Sequence, residues 1–333
     1  MFETGRAKGI PSWNRKQLAF WMLFVGIALL MVYVRTMVTL RAHPVFVVYV
    51  WAVAITIILR YVFYAIYEPE LFDEDEYQPN VMIIVPAKNE SSVIYSTARA
   101  LGNLDYPKDK ISVIMVNDGS DDDTGVWMDK ISEDYGYEVI HLERNMGKRS
   151  AIAKAMERNF SEITVLVDSD SALESNALKQ GLRGFYSQNT AAICGHTDVA
   201  NSKATWLTRM QAQQYFIAFK TFKSLEGYFR SVICCSGAFS LYRTDSIRPL
   251  IEEWENQTFL GRSRTFGDDR GLTNLLLREG YDTIYVSEAK AKTIVPQNAK
   301  TYLRQQLRWR RSFLMESLSG LSHMWKRPIG ASV

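Results

Sequence analysis

Two apolar runs near the N-terminus, Leu18 to Val34 and Pro44 to Ile66, constrain this chain more than anything that follows them. At about 1.5 Å per residue, a helix built from either run crosses or nearly crosses a hydrocarbon core of about 30 Å. The second run is interrupted only by Arg60, near its end. Arg6, Lys8, Arg15 and Lys16 precede the first run, whereas only Arg35 and Arg41 flank the connection between the two. The positive-inside bias therefore predicts a membrane hairpin in residues 1–67, with the N-terminus and everything after residue 67 in the cytoplasm. Trp13, Trp21, Tyr61, Tyr64 and Tyr67 sit near the run ends, where interfacial anchors belong. A second apolar run directly behind the first, with no obvious small-residue cleavage site, favours retained anchors over a signal peptide. The expected location is the cell membrane, multi-pass, with lipid as a partner.

Residues 68–79 form an acidic linker that opens Glu68-Pro-Glu-Leu-Phe-Asp-Glu-Asp-Glu76, and residues 80–311 are long enough for one substantial core or two lobes. Residues 312–333 follow as an interfacial amphipathic segment. A net charge of +3, from 39 basic and 36 acidic residues, gives no reason to expect a nucleic-acid partner. Cys194, Cys234 and Cys235 are an odd set without metal-ligand spacing, which fits a reducing compartment, and four scattered histidines argue against a zinc site. Nothing in the sequence indicates an oligomeric state.

From residue 79 the pattern becomes strand, loop, helix. Val81–Val85, Ile111–Val116 and Ile163–Val167 are short runs apolar on both faces, as central parallel strands covered by helices are. The expected fold class is α/β with a mostly parallel central sheet, preceded by two transmembrane helices. In such sheets, ligands bind outside the carboxyl ends of the strands. Three polar clusters fall there: Ala87-Lys-Asn-Glu90, Asn117 to Asp123, and Asp168-Ser-Asp170.

Asp118 can be a plain turn residue beside Gly119 or a carboxylate that accepts hydrogen bonds from a base or ribose. Lys148 or Arg149, at the start of an alanine-rich helix over 150–156, can hold a diphosphate. Asp168 and Asp170 are two residues apart, which in an extended segment turns both carboxylates to one side. Two such anions repel one another unless a cation bridges them, and Mg2+ or Mn2+ meets that need. Asp268 or Asp269 can cap the helix that follows Gly267, or, with Arg270 as an orienting cation, serve as a general base. Gln305, Arg308 and Trp309 share one face of a cationic helix, by spacings of three and four. That helix either lies on anionic lipid or offers Arg308 to diphosphate and Trp309 to the flat face of a sugar.

The ordered set Pro86-Ala-Lys-Asn-Glu90, Val116-Asn-Asp-Gly-Ser120, Gly147-Lys148, Val167-Asp-Ser-Asp170, Cys235-Ser-Gly-Ala-Phe-Ser-Leu-Tyr-Arg243, Gly267-Asp-Asp-Arg270 and Gln305-Gln-Leu-Arg-Trp309 resembles the processive family 2 glycosyltransferases. The likeness covers nearly all of residues 80–320 and points most closely to hyaluronan synthases and to chitin and chito-oligosaccharide synthases. It implies a cytosolic domain of the GT-A type, UDP-sugar donors, Mg2+ or Mn2+, and inversion to β linkages on a growing polysaccharide or sugar acceptor. On this sequence it makes Asp118 the uridine-contact acid, with Ala87, Asn89, Glu90 and Ser169 also on the nucleotide side. It makes Lys148 the diphosphate lysine, and Asp168 and Asp170 the metal acids, Asp170 the direct ligand. Asp269 becomes the base. Ser236, Gly237, Asp268 and Arg270 line the acceptor pocket, and Gln305, Arg308 and Trp309 close over the diphosphate and contact the acceptor.

The resemblance further implies hyaluronan from UDP-N-acetylglucosamine and UDP-glucuronic acid, with a chitin-like product from the first donor alone as the alternative. A single transfer to a lipid-phosphate acceptor and a carbohydrate-binding subunit without turnover are the remaining readings, disfavoured by the Gln-Gln-Leu-Arg-Trp patch and by the two acid pairs respectively. Members that extrude polymer carry more transmembrane helices after the Arg-Trp motif. No third apolar run of that length follows Trp309 here. The expectation is a piece of a longer enzyme, or else transfer without the usual channel.

Overall fold

The computed structural model describes residues 15–39, 44–73, 76–264 and 266–326, with backbone alone for 15–25, 39 and 326. Arg6, Lys8, Trp13, Arg41 and the side chains of Arg15, Lys16 and Trp21, on which the predicted orientation rests, lie outside the described residues. The strands are β1 (Val81–Ala87), β2 (Ile111–Asn117), β3 (Glu138–His141), β4 (Ile163–Leu166), β5 (Ser171–Leu173), β6 (Thr190–Val199), β7 (Ser240–Arg243), β8 (Thr258–Phe259), β9 (Arg262–Ser263) and β10 (Asp282–Thr293). The helices are α1 (Arg15–Thr39), α2 (Pro44–Ile66), α3 (Ile94–Gly102), α4 (Thr124–Tyr135), α5 (Lys148–Met156), α6 (Ala177–Leu182), α7 (Trp206–Phe216), α8 (Lys223–Tyr228), α9 (Thr244–Ile247), α10 (Ile251–Glu255), α11 (Asp268–Arg278) and α12 (Ala299–Gly320).

The chain divides into two units, Met1–Leu59 and Arg60–Val333. The first holds α1 and α2 as far as Leu59. Among the described residues one helix, α2, is long and apolar enough to cross a membrane, and the described apolar stretch of α1, Gly26–Val38, is shorter. Val45, Val48, Ile57 and Leu59 are exposed, a surface that suits lipid rather than water.

The second unit is built on an eight-stranded sheet in the order β3-β2-β1-β4-β7-β6-β10-β5. β1, β2, β3 and β4 pair parallel, as do β6 and β10, whereas β7 runs antiparallel between β4 and β6, and β5 is antiparallel to β10. The period-two alternation of side chains explains why β1 reads apolar throughout. Val81, Ile83 and Val85 enter one core with α3, α4 and α6, while Met82 and Ile84 enter the other with α5, α10 and α11. Both faces are covered, as expected for the parallel half.

The second unit begins inside α2. The Arg60 guanidinium lies 4.0 Å from the centre of the Phe222 ring, and Phe63 packs 4.6 Å from Tyr228. Tyr67 Oη donates to the Tyr285 carbonyl at 2.6 Å. The acidic segment is docked rather than free, because Phe72 N–H donates to the Arg183 carbonyl, Arg183 Nε donates to the Phe72 carbonyl, and the Phe72 ring stacks on Tyr77.

Candidate active site

Because β2, β1 and β4 are parallel neighbours, their carboxyl ends lie side by side, and the three polar clusters predicted from sequence are brought together there. The first two are interlocked. Asn89 N–H donates to Ser120 Oγ at 3.0 Å, Asn89 Oδ1 accepts from Asp121 N–H at 2.9 Å, and Glu90 N–H donates to Thr124 Oγ1 at 2.8 Å. Asn89 holds φ at 56°, in the left-handed region that asparagine tolerates. Ala87 ends β1, buried, and its carbonyl accepts from Asp118 N–H.

Asp118 is 4 % exposed, and its carboxylate accepts from Met146 N–H at 2.7 Å and Gly147 N–H at 2.9 Å. It therefore pins the loop that delivers Lys148, through two amides just before α5. Gly119 makes that approach feasible. With φ at 58° and a virtual Cβ only 2.3 Å from the Arg144 backbone, the position admits no side chain.

Lys148 is aimed at the acids. Its Nζ donates to Asp168 Oδ1 at 2.5 Å and lies 3.7 Å from Asp269 Oδ1. Lys148 is 30 % exposed and the two acids 34 %, open enough for a substrate to reach them. Burial alone would lower the Lys148 pKa, but Asp168, then Asp269 and Asp268, outweigh it and hold the value above that of an ordinary lysine. Asp269 is raised above the usual carboxylate range, first by burial and then by Asp168 and Asp268, against the opposing pull of Lys148 and the Gly237 amide.

Gly237 closes this cluster from the other side. A Cβ there would stand 2.6 Å from Lys148 Nζ, 2.8 Å from Asp269 Oδ1 and 2.9 Å from Asp168 Oδ1. Its segment is fastened to α11 through Thr273, whose hydroxyl accepts from Cys235 N–H at 3.0 Å and donates to the Asp269 carbonyl at 2.7 Å. Ser236, half-buried beside it, accepts at its carbonyl from Phe239 N–H.

Asp170 receives a bond from Thr293 Oγ1 at 3.3 Å, and burial followed by the Asp168 charge raises its pKa to about 6. Glu90 is raised to about 7 by burial, then by Asp170, Asp168 and Asp122. Ser169 is buried between the two aspartates, its carbonyl bonded by Thr97 Oγ1. Three carboxylates thus share more negative charge than Lys148 balances, and hard oxygen donors of this kind fit Mg2+ or Mn2+. Among the described residues no three His, Cys, Asp or Glu side chains are arranged to hold an ion by themselves.

The structure corrects the sequence reading in two places. Arg149 does not face a diphosphate: it is 5 % exposed and donates to Asp268 Oδ1 at 2.9 Å, the Trp254 carbonyl at 2.7 Å and Gln257 Oε1 at 2.9 Å. Arg270 is not the orienting cation of the acid pair, since its guanidinium sits 5.0 Å from the centre of the Phe313 ring. Arg149 fixes Asp268, and Lys148 faces Asp269.

Trp309 of α12 is 40 % exposed and lies 6.4 Å from the Tyr215 ring. Tyr215 reaches toward the acids: burial, then Asp170 and Asp168, raise its pKa. Gln305 Oε1 is buried without a hydrogen-bond partner among the described residues, and Arg308 is exposed. α12 is a single helix through residue 311, and its Glu316 binds Arg264 at 2.5 Å and Asn274 Nδ2 at 2.8 Å, anchoring it to α11. Gly267 lets the two helices approach, since a Cβ there would meet Ser312 Oγ at 2.4 Å.

The family model for Glycosyltransferase like family 2 matches residues 79–312, the whole span that carries this site. The chain belongs to that family. An N-acetylglucosaminyltransferase of Azorhizobium caulinodans is 37% identical over 237 residues, covering 70% of this chain and 59% of that protein. A hyaluronan synthase of Streptococcus pyogenes serotype M3 is 33% identical over 276 residues, covering 80% of this chain and 64% of the synthase. The chain therefore spans about three-fifths of the length of these relatives. Among solved structures, a mannosyltransferase of Pyrobaculum calidifontis, in complex with GDP-Man and Mn2+, superposes with a TM-score of 0.63 at 17% identity, over 80% of this chain and 71% of that one. That likeness establishes a shared GT-A-like α/β fold.

Sequence reasoning missed Arg149 as the partner of Asp268, Tyr215 as the neighbour of Trp309, and Thr273 as the tie between α11 and the glycine segment. For Arg149 a signal existed: it stands in a short helix otherwise rich in alanine, where a buried cation requires a buried partner.

Proposed function

We propose that this chain is the catalytic part of a membrane-bound, inverting β-glycosyltransferase that takes N-acetylglucosamine from its UDP derivative. The observation that carries the proposal is the Lys148, Asp168 and Asp269 cluster, gathered from three elements around a glycine that leaves room for no side chain. A family 2 fold with this cluster at its strand ends has the groups for both halves of a displacement. Asp269, held at a raised pKa, accepts the proton of the acceptor hydroxyl as its oxygen attacks the anomeric carbon. The bond to the UDP oxygen breaks on the opposite face, and Lys148 and Arg308 stand ready for the charge left on the diphosphate. Asp168 and Asp170, with Glu90 beside them, would hold Mg2+ or Mn2+, which when bound supplies further neutralisation of that diphosphate.

Asp118, Ala87, Asn89 and Ser169 belong to the nucleotide side of this reading, and Ser236, Gly237, Asp268 and Arg270 to the acceptor side. Trp309 offers an aromatic face to the acceptor sugar, and the unpartnered Gln305 Oε1 is available to a hydroxyl. Two spans at the N-terminus and a catalytic unit facing the cytoplasm complete the proposal, supported by α2, by the helical backbone of α1 and by the charge pattern of the sequence.

A product made from UDP-N-acetylglucosamine alone is favoured by the 37% identity to an N-acetylglucosaminyltransferase. Hyaluronan, the second reading, is supported by the synthase at 33%. Supplying each UDP-sugar alone and then both together separates them: polymer from UDP-N-acetylglucosamine alone excludes hyaluronan, and a strict need for both donors excludes the chitin-like product.

A further inference from the structure

Lys148 occupies a position that the proposed function, taken by itself, does not explain. Its Nζ lies 2.5 Å from Asp168 Oδ1, the acid assigned to the metal, and 3.7 Å from Asp269. Gly237 leaves room for it there, since a Cβ at that position would stand 2.6 Å from Nζ. Asp170 and Glu90 add negative charge close by and perturb one another, and Arg149, the next residue of α5, is committed to Asp268 and to the Trp254 carbonyl.

We infer that Lys148 competes with a divalent ion for Asp168: its ion pair with that carboxylate must open, and the ammonium move to the donor's diphosphate, when metal and nucleotide bind together. The inference rests on the glycosyltransferase reading and adds a second role to the same lysine. Its physical basis is competition for one carboxylate. A divalent ion arriving alone must break a short ion pair and leave Lys148 with Asp269, at 3.7 Å, as its nearest counter-charge. When UDP arrives with the ion, the diphosphate gives the ammonium a new anion, so the ion pair is exchanged rather than lost. Metal alone is thereby held weakly.

The test is binding of Mn2+ alone to the purified chain in detergent, followed by calorimetry in wild type, Lys148→Gln and Lys148→Arg, with UDP then titrated into each. Removing the competitor should tighten Mn2+ binding in the glutamine variant by about tenfold, within the usual range of coupling between neighbouring sites. The same variant should bind UDP more weakly, and arginine should restore both values toward wild type. Mn2+ affinity that is unchanged or weaker in Lys148→Gln overturns the competition while leaving the glycosyltransferase reading intact. Failure of wild type to bind either Mn2+ or UDP overturns both. A structure of the wild-type chain with Mn2+ and UDP gives a reading that does not depend on the variants folding. Nζ is expected on the diphosphate, and a lysine still within hydrogen-bond distance of Asp168 contradicts the exchange.

Discussion

Asp168 and Asp269, one at the end of β4 and the other in the first turn of α11, share a single counter-ion, Lys148, at 2.5 Å and 3.7 Å. The metal side and the base side of the site are therefore coupled before any substrate is present.

Asp269→Asn keeps the size of the side chain but cannot take the acceptor proton. A positioned base contributes about 100- to 10,000-fold, so UDP release should fall by that order while calorimetry still detects donor binding. Loss of donor binding together with activity would move Asp269 to the donor side.

Gly237→Ala tests the confinement of the cluster. The added methyl meets Lys148, Asp269 and Asp168 at under 3 Å each, and overpacking of this kind costs about 1–3 kcal/mol. Turnover should fall far more than stability, as read by UDP release and thermal unfolding side by side. A variant with wild-type turnover would show that the three charged groups need not converge for catalysis.

Arg149→Met should destabilise the fold, by up to about 3–5 kcal/mol, because the half-buried Asp268 would lose its ion pair and the Trp254 carbonyl and Gln257 Oε1 their donor. Arg149→Lys should recover little, since one ammonium cannot reach the Asp268, Trp254 and Gln257 acceptors together. Chemical denaturation of all three proteins measures this, and near wild-type stability in the methionine variant would refute the structural role of Arg149.

The pH dependence follows from Glu90 and Asp170, raised to about 7 and about 6 from ordinary values of 4.5 and 3.8. Groups raised in the folded state favour folding while protonated, so their contribution is present below the ordinary values and is lost as pH rises through 6 to 7. Without metal, this part of the stability should decline between pH 4 and 7. Bound Mn2+ should oppose the decline, because it favours the ionised acids. Thermal unfolding at pH 5.0 and 7.5 should therefore show a larger stabilisation by Mn2+ at the higher pH. Equal stabilisation at both values would remove these acids from the metal site.

The three strand-end clusters were legible because each follows a run apolar on both faces, and such a run has few places to go except the middle of a covered sheet. The helix that carries Gln305, Arg308 and Trp309 was legible from spacing, but Asp168 and Asp170 do not lie in the extended segment expected: Ser171 N–H closes a turn onto the Asp168 carbonyl, and the two carboxylates meet different partners, Lys148 and Thr293. What stayed hidden depends on tertiary approach. No spacing rule shows that Arg149 crosses to Asp268, that Tyr67 seats against Gly227, or that Lys148 lies between two acids brought from β4 and α11. The helices of residues 206–228 were also unread, since their apolar positions serve both the core, through Phe219, and the surface, through Trp206 and Phe216. The antiparallel insertion of β7 into the sheet likewise has no local signature.

The most direct test of the account is transfer of radiolabel from UDP-N-acetylglucosamine by the purified chain in lipid nanodiscs with Mn2+, alongside Asp269→Asn. The account predicts labelled β-linked saccharide and stoichiometric UDP from wild type, and at least about a hundredfold less of both from the variant. Equal UDP release by the two proteins, or none from wild type with UDP-glucuronic acid and an oligosaccharide acceptor also supplied, would contradict it.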